Sequence, residues 1–396
     1  MYAGDWEYKD EGNLNIVLKY TGNDPKKVGL VLRIPKSRGQ LMECSDEKQY
    51  PEEYHELLRE LIGPQYAFPL IRKSVEKEFL QEVYEKISSQ RPKHRVVSDP
   101  NLFYGEHAFI TLDASYSDSI EDYYTIEFKP KCGFVPTSEY ISKDKLVKKK
   151  VCRFCLYKNT RFPAKESKDL YEYCPLQLYS SDVNMIRKGV EKLFGIEKPI
   201  FKCFKNGISY MPIESIKNEL IEKTTIVIQQ TKLLKKLVFL QRSLDSLDIE
   251  GVKRLADENQ IDCSKGLEMG IDVYKQTIST FIDRMSQGKQ ESEDFTQVIN
   301  EFYLSTSLKD VSIMITISKS KCEDSIDLRK GDYYKFDSNM PDWEEYIDEK
   351  GDSFYARIVS IDLDTKHHKS IDEYYNKDSK IVDGYVKKRE AESGLI

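Results

Sequence analysis

Residues 123–136, YYTIEFKPKCGFVP, read as a core strand that turns basic before it ends. Tyr, Ile and Phe through Phe128 suit a pleated, half-buried strand. Lys129 and Lys131 then flank Pro130, which has no N–H to give to a ladder and belongs at a strand end. Period-two alternation puts Glu127, Lys129 and Lys131 on one face, with Phe128 and then Cys132 on the other. Such a strand carries charge out of a core and into a site.

Upstream, DWEYKDEGNLNIVLKY (5–20) reads as strand, Gly/Asn turn and strand, and VGLVLRIPK (28–36) as another strand. PEEYHELLRELIG (51–63) has helical spacing and a glycine stop. IRKSVEKEFLQEVYEKISSQ (71–90) is helical with parts that suit strand, and GEHAFITLD (105–113) is a turn followed by a strand. The first hundred residues thus predict a small α+β lobe with an antiparallel sheet. Downstream, Asp182 is placed to cap a helix over 182–194. The pattern predicts a long amphipathic helical stretch over 214–243, and further helices over 271–286 and 291–303. SLKDVSIMITIS (307–318) runs from a polar turn into a strand, and 338–353 is acidic and loop-like. FYARIVSIDLDTK (354–366) is a strand that ends in acids, and no internal repeat is visible.

The 396 residues suffice for two or three lobes, and 39% apolar with 32% charged content suits a folded chain. No run of about 18 apolar residues is present, so no membrane span is expected. The opening MYAGDWEYKD lacks a secretory pattern, so the chain is expected inside the cell, in nucleus and/or cytoplasm. A net charge of −6 argues against a general nucleic-acid binder. Basic residues nevertheless cluster at 36–39, 91–95, 129–131 and 143–150. These are either solvated faces or the walls of a pocket for a small, highly anionic ligand.

Four constellations carry chemistry. Asp362 and Asp364 close a β-branched strand, share a face about 7 Å apart, and offer oxygen ligands of the kind Mg²⁺ takes. Asp310 precedes an apolar strand, where it accepts a hydroxyl proton, binds a second metal or simply makes a turn. DEGNLN (10–15) is a phosphate-covering turn with one glycine where G-x-G-x-x-G has three. Cys132, Cys152, Cys155 and Cys174 are either a tetrahedral Zn²⁺ set or buried free thiols.

Taken in order, DWEYKDEGNLNIVL, LRIPKSR, QRPKHR, IEFKPKCGFVP, CRFC, YCPLQLYS, LDSLDIEG, SLKDVSIMI and IDLDTK…YYNKDSKIV resemble the inositol pentakisphosphate 2-kinase family over nearly the whole chain. The resemblance is weakest at 205–240, 252–300 and 320–353. It implies a bilobal α+β fold, distantly protein-kinase-like, with an inositide-binding lobe inserted in the C-terminal half. The N-terminal lobe would be 1–104, the hinge 105–107 and the C-terminal lobe 108–396. It implies an ATP- and Mg²⁺-dependent monomer that phosphorylates the 2-hydroxyl of inositol 1,3,4,5,6-pentakisphosphate to give the hexakisphosphate. By the same resemblance Asp310 is the general base, Lys129 bridges the transferred phosphate and the substrate, and Asp362 holds Mg²⁺ beside Asp364. Gly12, Asn13, Asn15, Arg33, Glu106, His107, Glu127 and Lys202 fall on the nucleotide side. Arg38, Arg95, Lys131, Arg161, Lys366 and Tyr374 join Lys129 on the inositide side. Five phosphates demand such a density of cations.

Three departures from the family stand out. Asp10 replaces a glycine in the phosphate turn. Ser370 sits where some members carry an inositide-binding arginine, with Lys369 beside it as a substitute. The Cys/His zinc cluster of plant-type members is absent from VKRLADENQIDCSKG, which has one cysteine and no histidine. Cys152, Cys155 and Cys174 match animal-like members and form the candidate structural Zn²⁺ set, with Cys132 or His94 as fourth ligand. The alternatives are a kinase of a less phosphorylated inositol, or an inactive inositide-binding scaffold.

Overall fold

The protein is described here from a computed structural model covering residues 1–36, 51–98, 106–117, 120–161, 172–196, 200–266, 269–289, 292, 294–320, 339–366 and 368–392. Strands β1 (Trp6–Glu11), β2 (Asn15–Tyr20), β3 (Leu30–Pro35), β4 (Ile71–Ser74) and β5 (His107–Leu112) form one antiparallel sheet, in the order β1-β2-β3-β5-β4. Strands β6 (Tyr123–Phe128), β7 (Phe201–Lys205), β8 (Ile208–Ser209), β9 (Ser312–Ser318), β10 (Glu344–Ile347) and β11 (Ser353–Ile361) form a second, also antiparallel, in the order β10-β11-β9-β6-β7-β8. Every residue of β9 is buried, which is why SIMITIS shows no clean alternation. Its one central polar residue, Thr316, is matched by Thr125 of β6 across a 3.0 Å hydroxyl contact, so no polar atom is stranded there.

The helices are α1 (Pro51–Ile62), α2 (Lys77–Ile87), α3 (Lys93–Ser98), α4 (Arg153–Arg161), α5 (Val183–Phe194), α6 (Glu214–Gln230), α7 (Leu233–Ser243), α8 (Asp248–Glu258), α9 (Ile271–Ser286), α10 (Phe295–Leu308) and α11 (Ile371–Glu392). Asp182 caps α5 by accepting from Asn184 N, and Asp294 caps α10 by accepting from Thr296 N and Gln297 N. One core packs α1 and α5–α10 against the second sheet. Another lies between the first sheet and α2, and takes in Met314 and Val359 of the second sheet.

The structure refines the local reading in four places. The stretch 214–243 is two helices, because Thr231 is extended (ψ 144) and its hydroxyl accepts from Leu233 N, starting a new helix. Residues 71–74 are strand before α2 begins. The acidic segment 338–353 contains β10, whose Tyr346 stacks on Phe354 of β11 and so holds an otherwise polar strand in place. The chain also leaves the first sheet after Leu112 and enters the second at Tyr123. Of the expected hinge residues 105–107, Gly105 lies outside the described residues, and the connection between the sheets runs from Leu112 to Tyr123. Asp113 anchors it, paired with Lys9 and accepting from Ser115 N at 2.9 Å. His107 is instead the first residue of β5, opposite Ser74.

Candidate functional site

β6 ends at Phe128, so alternation stops before the two lysines. Lys129 N still donates to Ile200 O at 3.1 Å, but Lys131 lies in the left-handed region with φ 57. Lys131 thus reaches the charged face by a backbone turn rather than by strand periodicity, a correction to its derivation and not to its destination. Asp362, just beyond β11, has φ 63. Left-handed backbone is costly for residues with a Cβ and persists where the surroundings enforce it. Both cases here flank the same cluster.

Lys129 Nζ lies 3.1 Å from Asp362 Oδ2 and 3.2 Å from Asp310 O. Lys131 Nζ reaches Asp310 Oδ1 at 3.1 Å, and Lys366 Nζ reaches Asp310 Oδ2 at 2.9 Å. Ser312 Oγ donates to Asp362 Oδ2 at 2.9 Å. Three lysines and two aspartates, brought from β6, β9 and the end of β11, therefore form one network.

The charges act on one another strongly. Burial alone would raise the Asp310 carboxyl, but the ammonium groups of Lys366, Lys131 and Lys129 outweigh it and hold it well below the usual carboxylate range. Asp362 is likewise lowered against its burial, by Lys129, Arg33 and Ser312. Burial also tends to lower both lysines; it is overcome at Lys129 by Asp362 and Asp310, so its pKa rises. At Lys131 burial and the neighbouring Lys129 prevail over Asp310, and its pKa falls.

A second group continues this line. Lys202 on β7 sits 3.1 Å from Glu127 Oε1 and also pairs with Asp10 of β1. Burial raises Glu127 although Lys202 opposes it. Arg33 on β3 bonds Asp364 Oδ1 at 3.2 Å. These pairs join the two sheets. Asp10, which displaced a family glycine, thereby acquires a partner across the cleft. Gly12 N donates to Asn15 O at 2.9 Å, and Lys36 Nζ donates to Gly12 O at 2.9 Å. A Cβ at Gly12 would meet nothing within 4 Å, so its bareness leaves open space above the turn. Arg95 bonds Asn13 Oδ1 at 2.5 Å.

Other expected residues are placed apart or by other means. Glu106 O accepts from Val75 N at 2.8 Å, and neither Glu106 nor His107 is linked to the lysine–aspartate network. Arg161 is exposed at the end of α4, 5.9 Å from the Tyr157 ring. Arg38 lies outside the described residues. Tyr374 OH donates to Lys366 O at 3.1 Å, steadying that lysine. Ser370 is buried as the start of α11: its Oγ accepts from Glu373 N at 3.0 Å, and Glu373 accepts from Ser370 N at 2.8 Å. A helix cap occupies the position where an arginine was sought.

Sequence reading missed Ser312 and Lys377. The spacing K-D-x-S in KDVSIMI puts Ser312 two residues after Asp310, a signal that was available. Lys377 follows Tyr374 by three positions, so both share a helix face. It lines a cavity of about 230 Å³ with Tyr374 and Arg153. Burial, then Lys369 and Arg153, lower its pKa, and Asp310 only partly offsets them.

Cys152, Cys155 and Cys174 bring their Sγ atoms within 4.8 Å of one another. Cys152 and Cys155 thiols donating to Cys174 lower its pKa to about 3. No fourth acid, imidazole or thiol joins this group among the described residues. Cys132 is not a member: its Sγ turns toward Phe134 O at 3.6 Å and lines the cavity. His94 lies on α3 and does not join either.

Within the basic run 143–150, Lys143, Lys149 and Lys150 are exposed, while Lys148 turns inward. Lys148 is buried against Asp248, Glu250 (3.0 Å) and Asp378 (2.8 Å), and Arg153 pairs with Asp378 at 2.9 Å. The LDIEG motif thus supplies carboxylates to an internal ion cluster.

The protein is thus an α+β scaffold of two antiparallel sheets, with lysine-held carboxylates where they meet. The chain belongs to the inositol-pentakisphosphate 2-kinase family, whose sequence profile matches residues 8–380. It is similar to the inositol-pentakisphosphate 2-kinase of Arabidopsis thaliana, 26% identical over 99% of this chain and 95% of that protein. The Oryza sativa subsp. japonica protein of the same description is 26% identical, over 98% and 95% of the two chains. The Danio rerio protein is 23% identical, over 99% and 95%.

Proposed function

We propose that the chain transfers the γ-phosphoryl group of ATP to the 2-hydroxyl of inositol 1,3,4,5,6-pentakisphosphate. The observation that carries this reading is Asp310 held between Lys131 and Lys366, one lysine on each carboxylate oxygen, beside the Lys129–Asp362 pair. Phosphoryl transfer asks for positioning and charge neutralisation more than for covalent chemistry. Asp310, kept ionised, accepts the hydrogen bond of the attacking hydroxyl and aims it. Its depressed pKa makes it a weak base at equilibrium, so the proton passes late, as the new P–O bond forms and the hydroxyl oxygen turns acidic. Lys129, reaching both aspartates, lies where charge builds on the transferred group. Lys131, Lys366, Lys369 and Lys377 grip the substrate's own phosphates, and Arg95 and Arg161 are further candidates, with Arg38 assigned by resemblance alone.

The finer architecture is a bilobal, distantly protein-kinase-like fold, with the lobes built on the two sheets and joined through 113–122. Nucleotide would lie between them, covered by the Gly12–Asn13–Asn15 turn and flanked by Arg33, Glu127 and Lys202. His107, which opens β5, and Glu106, which precedes it with its carbonyl bonded to Val75 N, are the less favoured nucleotide contacts. Asp362 and Asp364 offer only oxygen donors, and Asp362 stays ionised in spite of its burial, which suits a hard cation. They would hold Mg²⁺, which neutralises phosphate charge when bound. The Cys152–Cys155–Cys174 group suits a structural Zn²⁺.

The test is an assay with inositol pentakisphosphate, ATP and Mg²⁺, with the product identified by chromatography. Formation of the hexakisphosphate supports the reading. Faster turnover of a trisphosphate would replace it with a kinase of less phosphorylated inositols. Metal analysis decides the zinc: one ion per chain, lost in Cys152→Ser, is the expected result, and a metal-free wild type refutes it.

A further inference from the structure

Gln241 lies on α7, fully buried, immediately before the LDSLDIEG segment and outside the lysine–aspartate network. Its side chain bonds three backbone groups and also reaches the Tyr179 hydroxyl. Oε1 accepts from Gly133 N at 2.9 Å, while Nε2 donates to Lys131 O at 3.1 Å and to Leu308 O at 3.0 Å. Both amide protons are therefore used. Ser305 Oγ donates to Gln241 O at 2.8 Å, which binds α7 to α10 a second time.

The three backbone partners belong to two different segments. Gly133 and Lys131 form the turn after β6, where Lys131 has φ 57. Leu308 is the last residue of α10, where carbonyls lack an intrahelical partner, and Asp310 follows two residues later. Lys131 O also accepts from Tyr179 OH at 3.1 Å, so the carbonyl of the left-handed residue is held by two donors. The Tyr179 ring fills the space beside Gly133, where a Cβ would come within 2.7 Å of it. One amide thus sets the separation between the turn that carries Lys131 and the helix end that carries Asp310.

We infer that Gln241 is a positioning residue for phosphate transfer, clamping the Lys131–Gly133 turn to the end of α10 so that Lys131 meets Asp310. The inference rests on the reading of Lys131 and Asp310 given above. A misplacement of about 1 Å at a reacting centre costs on the order of a hundredfold in rate. Residues that act through one another lose additivity.

The experiment compares Gln241→Leu, Lys131→Met and the double variant of the full chain, assayed with inositol pentakisphosphate, ATP and Mg²⁺. Gln241→Leu is expected to lower kcat about 30-fold, within the scale set by misplacement, with KM for ATP little changed. The double variant is expected to be no slower than Lys131→Met alone. Additive losses on top of an impaired Lys131→Met overturn the proposal by itself. A Lys131→Met enzyme with wild-type kinetics overturns the site reading, and the proposal with it. Should Gln241→Leu fail to fold, Gln241→Glu keeps an acceptor for Gly133 N but, held neutral by burial, offers one O–H to two carbonyl oxygens. It is expected to show the same non-additivity with Lys131→Met, and wild-type kcat in Gln241→Glu refutes the clamp.

Discussion

Two lysine–carboxylate clusters in this molecule use the same chemistry to opposite ends. Lys148 has a side chain 2% exposed, and its partners Asp248, Glu250 and Asp378 are at most 10% exposed. In the site, Lys129 is 24% exposed, with Asp362 at 38% and Asp310 at 43%. Desolvated charges cannot exchange partners without leaving a bare ion behind. Half-solvated ones can, because water stabilises the intermediate arrangement. The first cluster is therefore a fixture of the fold, and the second a set of cations lent to aspartates and available to phosphate.

The comparison is broken most directly at Lys148. Lys148→Met leaves three buried carboxylates with Arg153 as the remaining cation, and should cost about 3–5 kcal/mol of stability. Urea denaturation measures this, and the folded fraction should retain wild-type kcat. Lys129→Met and Asp310→Ala should do the reverse. Each is expected to lose about two orders of magnitude in kcat, with a smaller fall in urea midpoint than Lys148→Met because the pairs they break are partly solvated. If Lys129→Met unfolds the protein while Lys148→Met only slows it, the two clusters have been assigned the wrong way round.

A pH measurement sharpens the contrast. Burial raises Asp248 to about 6, ahead of the opposing pull of Lys148 and assisted by Asp245 and Asp378. A carboxyl raised on folding stabilises the native state below its unfolded pKa, and that contribution is lost as pH rises through about 6. Asp310 and Asp362 have the opposite sign: their contribution is present above the unfolded pKa and is lost only in strong acid. Asp248→Asn, which tolerates the left-handed backbone at that position, should therefore gain on wild type between pH 4 and 7. The expected gain is about 2–3 kcal/mol by the usual conversion of pKa to free energy. A difference that stays flat across that range refutes the account. The smallest effect belongs to Lys377→Met, which should raise KM for the pentakisphosphate by about three- to tenfold, worth one exposed charged contact, and leave kcat alone.

The sequence showed the site's members more readily than its assembly. Lys129, Lys131, Asp310 and Asp362 stood out because each interrupts an apolar strand, and an interrupted strand is visible to periodicity. Lys131 was placed on the right face for the wrong reason, since alternation had ended and a left-handed turn took over. Lys148 and Lys150 look alike in KDKLVKKK, and no local rule tells which lysine will meet three acids from residues 248–378. Gln241 gave no signal, because an amide that bonds mainly to backbone has no sequence partner to match. The α+β class and most strands followed from pattern. Thr231, β10 and the crossing at 113–122 did not, since each depends on contacts far along the chain.

The order of synthesis gives the left-handed Asp362 a further meaning. Lys129, Lys131 and Asp310 precede it, yet Asp362, Asp364, Lys366 and Tyr374 all follow β11, near the end of the chain. Domains fold as they emerge, N-terminal parts first. A nascent chain that has already paired both sheets would still lack the carboxylate that holds Lys129. Premature termination after Ile361 would thus remove Asp362, Lys366 and Asp378 together, so that neither the site nor the buried Lys148 cluster could be completed.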